Sequence, residues 1–208
     1  MIKHLTLSSL LVAFTLIFAA PSQAATSEAS QFVNTLASDT IAVLSNDKIS
    51  DGERQEAFRT LLTQGFDLPL IARFVVGRYW RSASEAEKAE FMATFEDYLV
   101  VSYAARLGNY SGQVLRVVND RDVDGNDVMV ASEIQQGTAP AIKVDWRLRR
   151  TENTWRIIDI AVEGVSMAVA QRSEFGAVIR AKGGKLPALT QVLRAKADTM
   201  IKREVASK

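Results

Sequence analysis

A chain of 208 residues without a single cysteine has no disulfide to rely on, so its 48% of apolar side chains must supply a packed core. Its 25 basic and 24 acidic residues almost cancel, and the basic ones are not interleaved with stacking aromatics, which argues against an extended nucleic-acid footprint. The one histidine is His4, so beyond it no Ser-His-Asp triad, thiol nucleophile, zinc site of nitrogen and sulfur ligands or c-type haem attachment can be assembled. Enzymes that work with carboxylates, Lys or Tyr stay open.

Residues 1–24, MIKHLTLSSLLVAFTLIFAAPSQA, have a short basic start (Lys3, His4), an apolar run from Leu5 to Ala20, and small residues at Ser22 and Ala24. That is the pattern of a secretory signal peptide with cleavage after Ala24, its apolar run being shorter than the roughly 18 residues of a spanning helix. No cysteine follows to carry a lipid anchor. The expected mature chain is one domain, residues 25–208, and in a Gram-negative bacterium its compartment is the periplasm.

Residues 28–45 are expected to form a helix with Phe32, Val33, Leu36, Val43 and Leu44 inward. Ser50 and Glu53 make a capping box for a second helix ended by Gly65. Asp67 caps a third, DLPLIARFVV, with Pro69 in its first turn. After a turn at Gly77, Ser84 and Glu87 open a long helix to about Leu107. It carries Phe91, Phe95, Leu99, Tyr103 and Leu107 at steps of four, with Met92 and Tyr98 beside them, a wide stripe that packing against a sheet explains.

Four strands follow, QVLRVV (113–118), DVMVASEI (127–134), AIKVDWRLRR (141–150) and WRIIDIAVEGV (155–165), with turns at DVDGND and RTENT. Their spacing predicts an antiparallel meander. In the third strand Ile142, Val144, Trp146 and Leu148 face one way, and Lys143, Asp145, Arg147 and Arg149 form a wet, basic face. By the same alternation Ile158, Ile160 and Val162 share a face opposite Trp155, Ile157, Asp159, Ala161 and Glu163. Residues 166–182 read as a helix, Gly183-Gly184 breaks it, and a last helix has Pro187 in its first turn. Residues 176–208 carry eight Lys or Arg against Asp198 and Glu204, either a solvated basic helix or a surface for an acidic partner or anionic head groups. The class is α+β: a curved, four-stranded antiparallel sheet with helices over one face.

The charges in IIDIAVEGVSMAVAQRSEF (157–175) could mark an active site. Asp159 and Glu163 lie four residues apart on a strand, roughly 13 Å at about 3.3 Å per residue, beyond the roughly 5–9.5 Å of paired glycosidase carboxylates. A structural role is expected instead: Glu163 or Glu174 pairing with Arg172 or a strand arginine, and Gly164 letting the chain turn. Ser173 has no histidine to activate it. DVDGND lacks the twelfth-position glutamate of a calcium loop, and GGK at 183–185 lacks the upstream glycine and strand of a phosphate loop.

Together, GFDLPLIARFVVGRYWRSASEAEKAEFMATFEDYLVVSYAARLGNYSG (65–112), VDWRLRR and WRIIDIAVEGVSMAVAQRSEF resemble, in the right order, the MlaC or toluene-tolerance auxiliary family, over nearly all of residues 30–200. A neighbouring set of proteins associated with hopanoid production is also similar. The resemblance implies an NTF2-like fold with an apolar cavity between sheet and helices. It implies a phospholipid carrier, with acyl chains buried and the head group at the mouth. Its implied partners are an outer-membrane lipoprotein-porin complex and an inner-membrane ABC transporter with an MCE-domain subunit, and its implied role is maintaining outer-membrane lipid asymmetry. The family brings no short catalytic signature; no catalytic residue, metal ligand or cofactor is assigned. The expected wall comes from the face patterns. Its helical part is Phe74, Phe91, Phe95, Leu99 and Tyr103. Its strand part is Val144, Trp146, Ile158, Ile160 and Val162, followed by Val165 and Met167. An enzyme with a buried Tyr or Asp in the cavity, and an adaptor binding through its basic C-terminal surface, are the alternatives.

Overall fold

The computed structural model describes residues 27–46, 48–107, 112–152 and 154–206; the expected leader, residues 1–24, lies outside them. Helix α1 (Glu28–Leu44) starts where Ser27 Oγ accepts from the Ser30 N–H at 3.1 Å. The capping box opens α2 (Asp51–Gly65): the Glu53 N–H donates to Ser50 Oγ at 3.3 Å and the Ser50 N–H to Glu53 Oε2 at 2.8 Å. Gly65 ends α2 where α1 crosses closest, since a Cβ there would lie 2.6 Å from Leu36 Cδ2. Asp67 caps α3 (Leu68–Val76) by accepting from the Leu70 N–H at 3.0 Å. Where only a turn was expected, a short α4 (Arg78–Ser82) follows Gly77. The second capping box, Ser84 with Glu87, opens α5 (Glu85–Leu107).

The sheet is a meander of β1 (Val114–Asp124), β2 (Asp127–Gln135), β3 (Ile142–Arg150), β4 (Trp155–Val162) and β5 (Val165–Ser166), each antiparallel to the next. It departs from expectation at two places. β1 runs on through most of DVDGND, because irregularities after Val117 and Asp122 absorb residues without breaking the ladder and only Gly125 and Asn126 form the turn. The fourth expected strand folds back on itself: Glu163 and Gly164, with φ of 49° and 78°, make a two-residue turn that adds a fifth strand. Helices α6 (Met167–Ala181) and α7 (Leu186–Ala206) complete the chain.

Apolar burial falls into three joined groups. Ala29 and Val33 of α1 pack on Val128, Val130, Leu148 and Ile157 of the sheet. Phe91 and Phe95 of α5 pack with Ala72, Phe175, Ile179, Leu189 and Leu193 in an all-helical body. Leu44, Phe58, Leu62, Leu68 and Val100 tie α1, α2, α3 and α5 together. Phe66 touches the first and third groups, and Leu99 the second and third.

Strict alternation fails once in β4, where it matters most. Arg147 pairs with Asp159 but Leu148 with Ile157, so Ile158 is an extra residue, a β-bulge. Ile157, not Ile158, therefore shares the core face with Ile160 and Val162, and it is fully buried while Ile158 is not. Ile157→Ala should cost about 2–4 kcal/mol by cavity creation and Ile158→Ala under about 1.5 kcal/mol. Urea titrations of the two variants check the order, which uninterrupted alternation would reverse.

Candidate functional site

Register turns the sheet's inner face, the one toward α1, into four rows. The first, Val128, Leu148 and Ile157, is fully covered. In the second, Val130 is buried, but Trp146 and Ile160 only half so. The third passes from Val117 through Ser132, Val144 and Val162 to Val165, which is 56% exposed. The fourth, Leu115, Ile134 and Ile142, ends with Ile142 at 43% exposed. Cover is thus complete on the first row and poorest on the fourth, and uneven between them, since Ser132 and Val144 of the third row are buried. At its less covered end a hollow of about 180 Å³ opens between Asn34, Ala37, Ser38 and Ile41 of α1 and Leu115 of β1.

Two polar groups on this face are hydrogen-bonded within the fold, whereas the buried Trp155 Nε1 meets no acceptor among the described residues. Asp120 Oδ2 accepts from both seryl hydroxyls at the start of α1, Ser27 at 2.5 Å and Ser30. Ser132 Oγ donates to the Val144 carbonyl at 3.0 Å and accepts from Trp146 Nε1 at 2.8 Å. Such saturated groups leave the rows between them chemically inert and apolar.

Of the expected wall, Trp146 and Ile160 pack together over the α1 group, with Val144 paired to Val162 beside them. Leu99 and Tyr103 sit in the α1–α2–α3–α5 group. Val165, Met167 and Phe74 lie at the β5–α6 rim, Phe74 being 39% exposed. Phe91 and Phe95 are corrections: stacked at 5.6 Å, with Phe175 edge-on to Phe95 at 6.1 Å, they are enclosed by protein on all sides. Ile158 is displaced by its bulge. Leu115, Val117 and Ile134 were missed, although each follows the period-two pattern of its strand; Phe32 and Leu36, read as inward on α1, pack on the same face.

The charges of residues 157–175 frame the site. Asp159 caps α6, accepting from Ser166 Oγ at 2.5 Å and the Ala168 N–H at 3.0 Å. Glu163 is held in its left-handed turn by two bonds to Lys143: its Oε1 accepts from the Lys143 N–H at 2.7 Å and its own N–H donates to the Lys143 carbonyl at 2.9 Å. Glu174 pairs with Lys196 at 3.3 Å and Arg172 lies over the Phe74 ring at 4.9 Å, so neither expected pairing to Arg172 forms.

The opposite end of the sheet holds a larger hollow of about 620 Å³, where Asp122, Asn126, Asp127, Arg150 and Glu152 surround Val128 and Trp155. Next to it the basic face of β3 is neutralised. Buried Asp127 accepts from Arg149 Nε at 2.7 Å and Nη2 at 2.9 Å, and from Arg147 Nε at 3.0 Å and Nη2 at 2.8 Å. The Arg149 bonds first, then those of Arg147, hold its carboxyl below the usual range against the opposing effect of burial.

The sequence profile of the MlaC protein family matches residues 34–195. The chain belongs to the MlaC family. Over 97 residues it is 31% identical to the intermembrane phospholipid transport system binding protein MlaC of Haemophilus influenzae, a match spanning 45% of this chain and 45% of that relative's length. Its fold is shared with a phospholipid-binding protein from Ralstonia solanacearum whose structure was solved in complex with a phospholipid. That likeness has a TM-score of 0.71 at 23% identity and covers 84% of this chain and 99% of the other. Family membership thus rests on the profile, and the architecture agrees with it.

Because Asp127 is depressed in the folded state, its stabilisation is complete above the ordinary carboxylate pKa of about 3.9 and is lost as pH falls through the folded value. Asp127→Asn should therefore cost about 1–3 kcal/mol at pH 7. The gap to the wild type should narrow as pH falls below about 4 in denaturant titrations; a gap independent of pH would show that the charge is not what matters.

Proposed function

We propose that this chain is a periplasmic phospholipid carrier and not an enzyme. The reading is carried by one observation: an apolar inner sheet face whose cover thins from the Leu148 row to the Ile142 row, with Asp120 and Ser132 already hydrogen-bonded within it. Acyl chains would lie along this face, against Val144, Trp146, Ile160 and Val162 and against Leu99 and Tyr103 of α5, widening the hollow beside Leu115. Val165, Met167 and Phe74 would flank the mouth, with the head group outside. Family membership supports the reading, as do the phospholipid-transport name of the Haemophilus relative and the phospholipid held by the Ralstonia protein.

The leader of residues 1–24 would deliver the chain to the periplasm; among the described residues no helix is long and apolar enough to cross a membrane. The carrier would shuttle between an outer-membrane lipoprotein-porin complex and an inner-membrane MCE-domain ABC transporter, sustaining outer-membrane lipid asymmetry. Two acyl chains of about 28 methylenes in total, at about 0.8 kcal/mol each, oppose release into water by roughly 20 kcal/mol. Transfer must then proceed by docked handoff, and the protein only has to match the bilayer as a solvent.

Detergent-free purification from the periplasm, organic extraction and mass spectrometry test this. About one phospholipid per chain is expected for the wild type. Folded Val162→Arg and Leu99→Arg should each retain less than about a tenth of that, since a guanidinium in the groove would have to shed its water without a partner. A folded wild type without lipid would overturn the reading, and normal loading of folded Leu99→Arg would remove α5 from the wall.

A further inference from the structure

Helix α6 leaves the sheet beside the thinly covered end of the inner face and carries an unusual outer surface. Val169, Arg172, Gly176 and Arg180 recur at helical spacing on one side of it, a stripe of about 16 Å at 1.5 Å per residue. Val169 is 57% exposed and continues the exposed Val165 of β5. Arg172 lies flat over Phe74 of α3, with its Nη2 only 3.2 Å from where a Cβ on Gly77 would be. Gly77 has φ of 57°, so glycine there satisfies the backbone and admits the guanidinium at once. Farther along, Arg180 and Arg78 both converge on the Tyr79 hydroxyl, Arg78 Nη2 at 3.2 Å. The partners of these three guanidiniums are aromatic; no carboxylate of the described residues pairs with them. The contrast with α7 is informative, because Arg194 and Lys196 there are paired with Glu90 and Glu174.

We propose that this α3–α4–α6 face is a docking surface for an anionic phospholipid bilayer. Arg172, Arg180 and Arg78 would engage head-group phosphates, and Val165, Val169 and Phe74 would enter the interface. Guanidiniums without a carboxylate partner suit phosphate oxygens, which they can grip with two parallel bonds. Exposed valines beside them suit a surface with an apolar layer beneath its charge, the composition of an interfacial binding face. What favours a bilayer over an acidic protein is continuity: Val165 belongs both to this face and to the Val144–Val162 row. A docked chain would hold its groove mouth against the lipid layer, so that hydrocarbon need not cross water. The mouth's role rests on the carrier reading; the docking itself does not.

Co-sedimentation of the mature chain with vesicles of phosphatidylethanolamine and phosphatidylglycerol, at low and at physiological salt, decides it. Binding is expected to these vesicles, weakening with salt, and to be at least about 10-fold weaker to phosphatidylcholine vesicles. R172E/R180E should weaken partitioning by at least about 30-fold, and V169D by about 10-fold. The control K202E/R203E, the same charge change at the end of α7, should weaken it less than about five-fold. Since Arg172 also packs on Phe74, the single R180E guards against a folding defect and should weaken binding about 10-fold alone. No binding to anionic vesicles, wild-type binding by folded R180E and V169D, or an equal loss in K202E/R203E would each overturn the proposal. Lipid content measured by extraction separates the two readings: docking without loading removes the carrier, and loading without docking removes this face.

Discussion

One extra residue in β4 organises the molecule. With uninterrupted alternation, Val162, Ile160, Ile158 and Arg156 would share a face, placing a charge under α1 and leaving Ile157 and Trp155 outside. The bulge at Ile158 resets the phase. Ile157 then meets Leu148 and Val128, Trp155 joins the same apolar group, and Arg156 falls opposite Arg149 on the outer face. Beyond the bulge Asp159 still points outward, and it is there that it can receive Ser166 and the first turn of α6. The covered end of the groove and the launching point of α6 follow from the same insertion.

Charge in this chain fixes elements in place and does so outside the apolar face or at its margin. Asp67 and Asp159 cap helices, Asp120 takes the two serines at the start of α1, and Glu163 clamps a left-handed turn to β3. Buried Asp127 sets the register of the β2–β3 ladder by holding Arg147 and Arg149 together. Most buried polar side-chain atoms are thereby satisfied, Arg54 Nε and Trp155 Nε1 being the exceptions among the described residues.

The parts of this design written in local chemistry were legible in the sequence. Ser50 with Glu53, Ser84 with Glu87 and Asp67 before Leu68 mark helix starts by hydrogen bonds within three residues, and the structure makes each of those bonds. Face assignments held wherever alternation was unbroken, as for Val144, Trp146 and Leu148 on β3. They failed at Ile158, because nothing in an apolar pair such as Ile157-Ile158 tells a bulge from a regular step; only the partner strand's register decides. The turn at Glu163-Gly164 was half legible: Gly164 signalled a turn, but Glu163 adopts its φ of 49° only because Lys143, twenty positions away, holds it. Phe91 and Phe95 look the same in sequence whether they line a groove or a helical core. Their place was settled by Phe175, Ile179 and Leu189, residues of later helices. Arg172 was misassigned for a related reason, since its partner is a ring, not a carboxylate.

The thinning cover of the inner face has a thermodynamic reading. A groove sealed along its whole length would maximise the stability of the chain alone, at about 25 cal/mol per Å² of apolar surface removed from water. It would then compete with cargo for the same burial. Leaving Trp146, Ile160, Val162 and Ile134 partly uncovered gives up some of that stability, and under the proposed carrier function that surface would be left for a ligand to bury. The deficit has to be small, because domains are stable by only about 5–15 kcal/mol in total. The apolar groups divide the labour: the all-helical body around Phe91, Phe95 and Leu189 is closed, while the sheet and α1 leave part of their shared face uncovered, an open seam. Stability and capacity are thus assigned to different layers of one fold, and Leu99 and Phe66, each belonging to two of the apolar groups, are where the layers must stay joined as the seam fills.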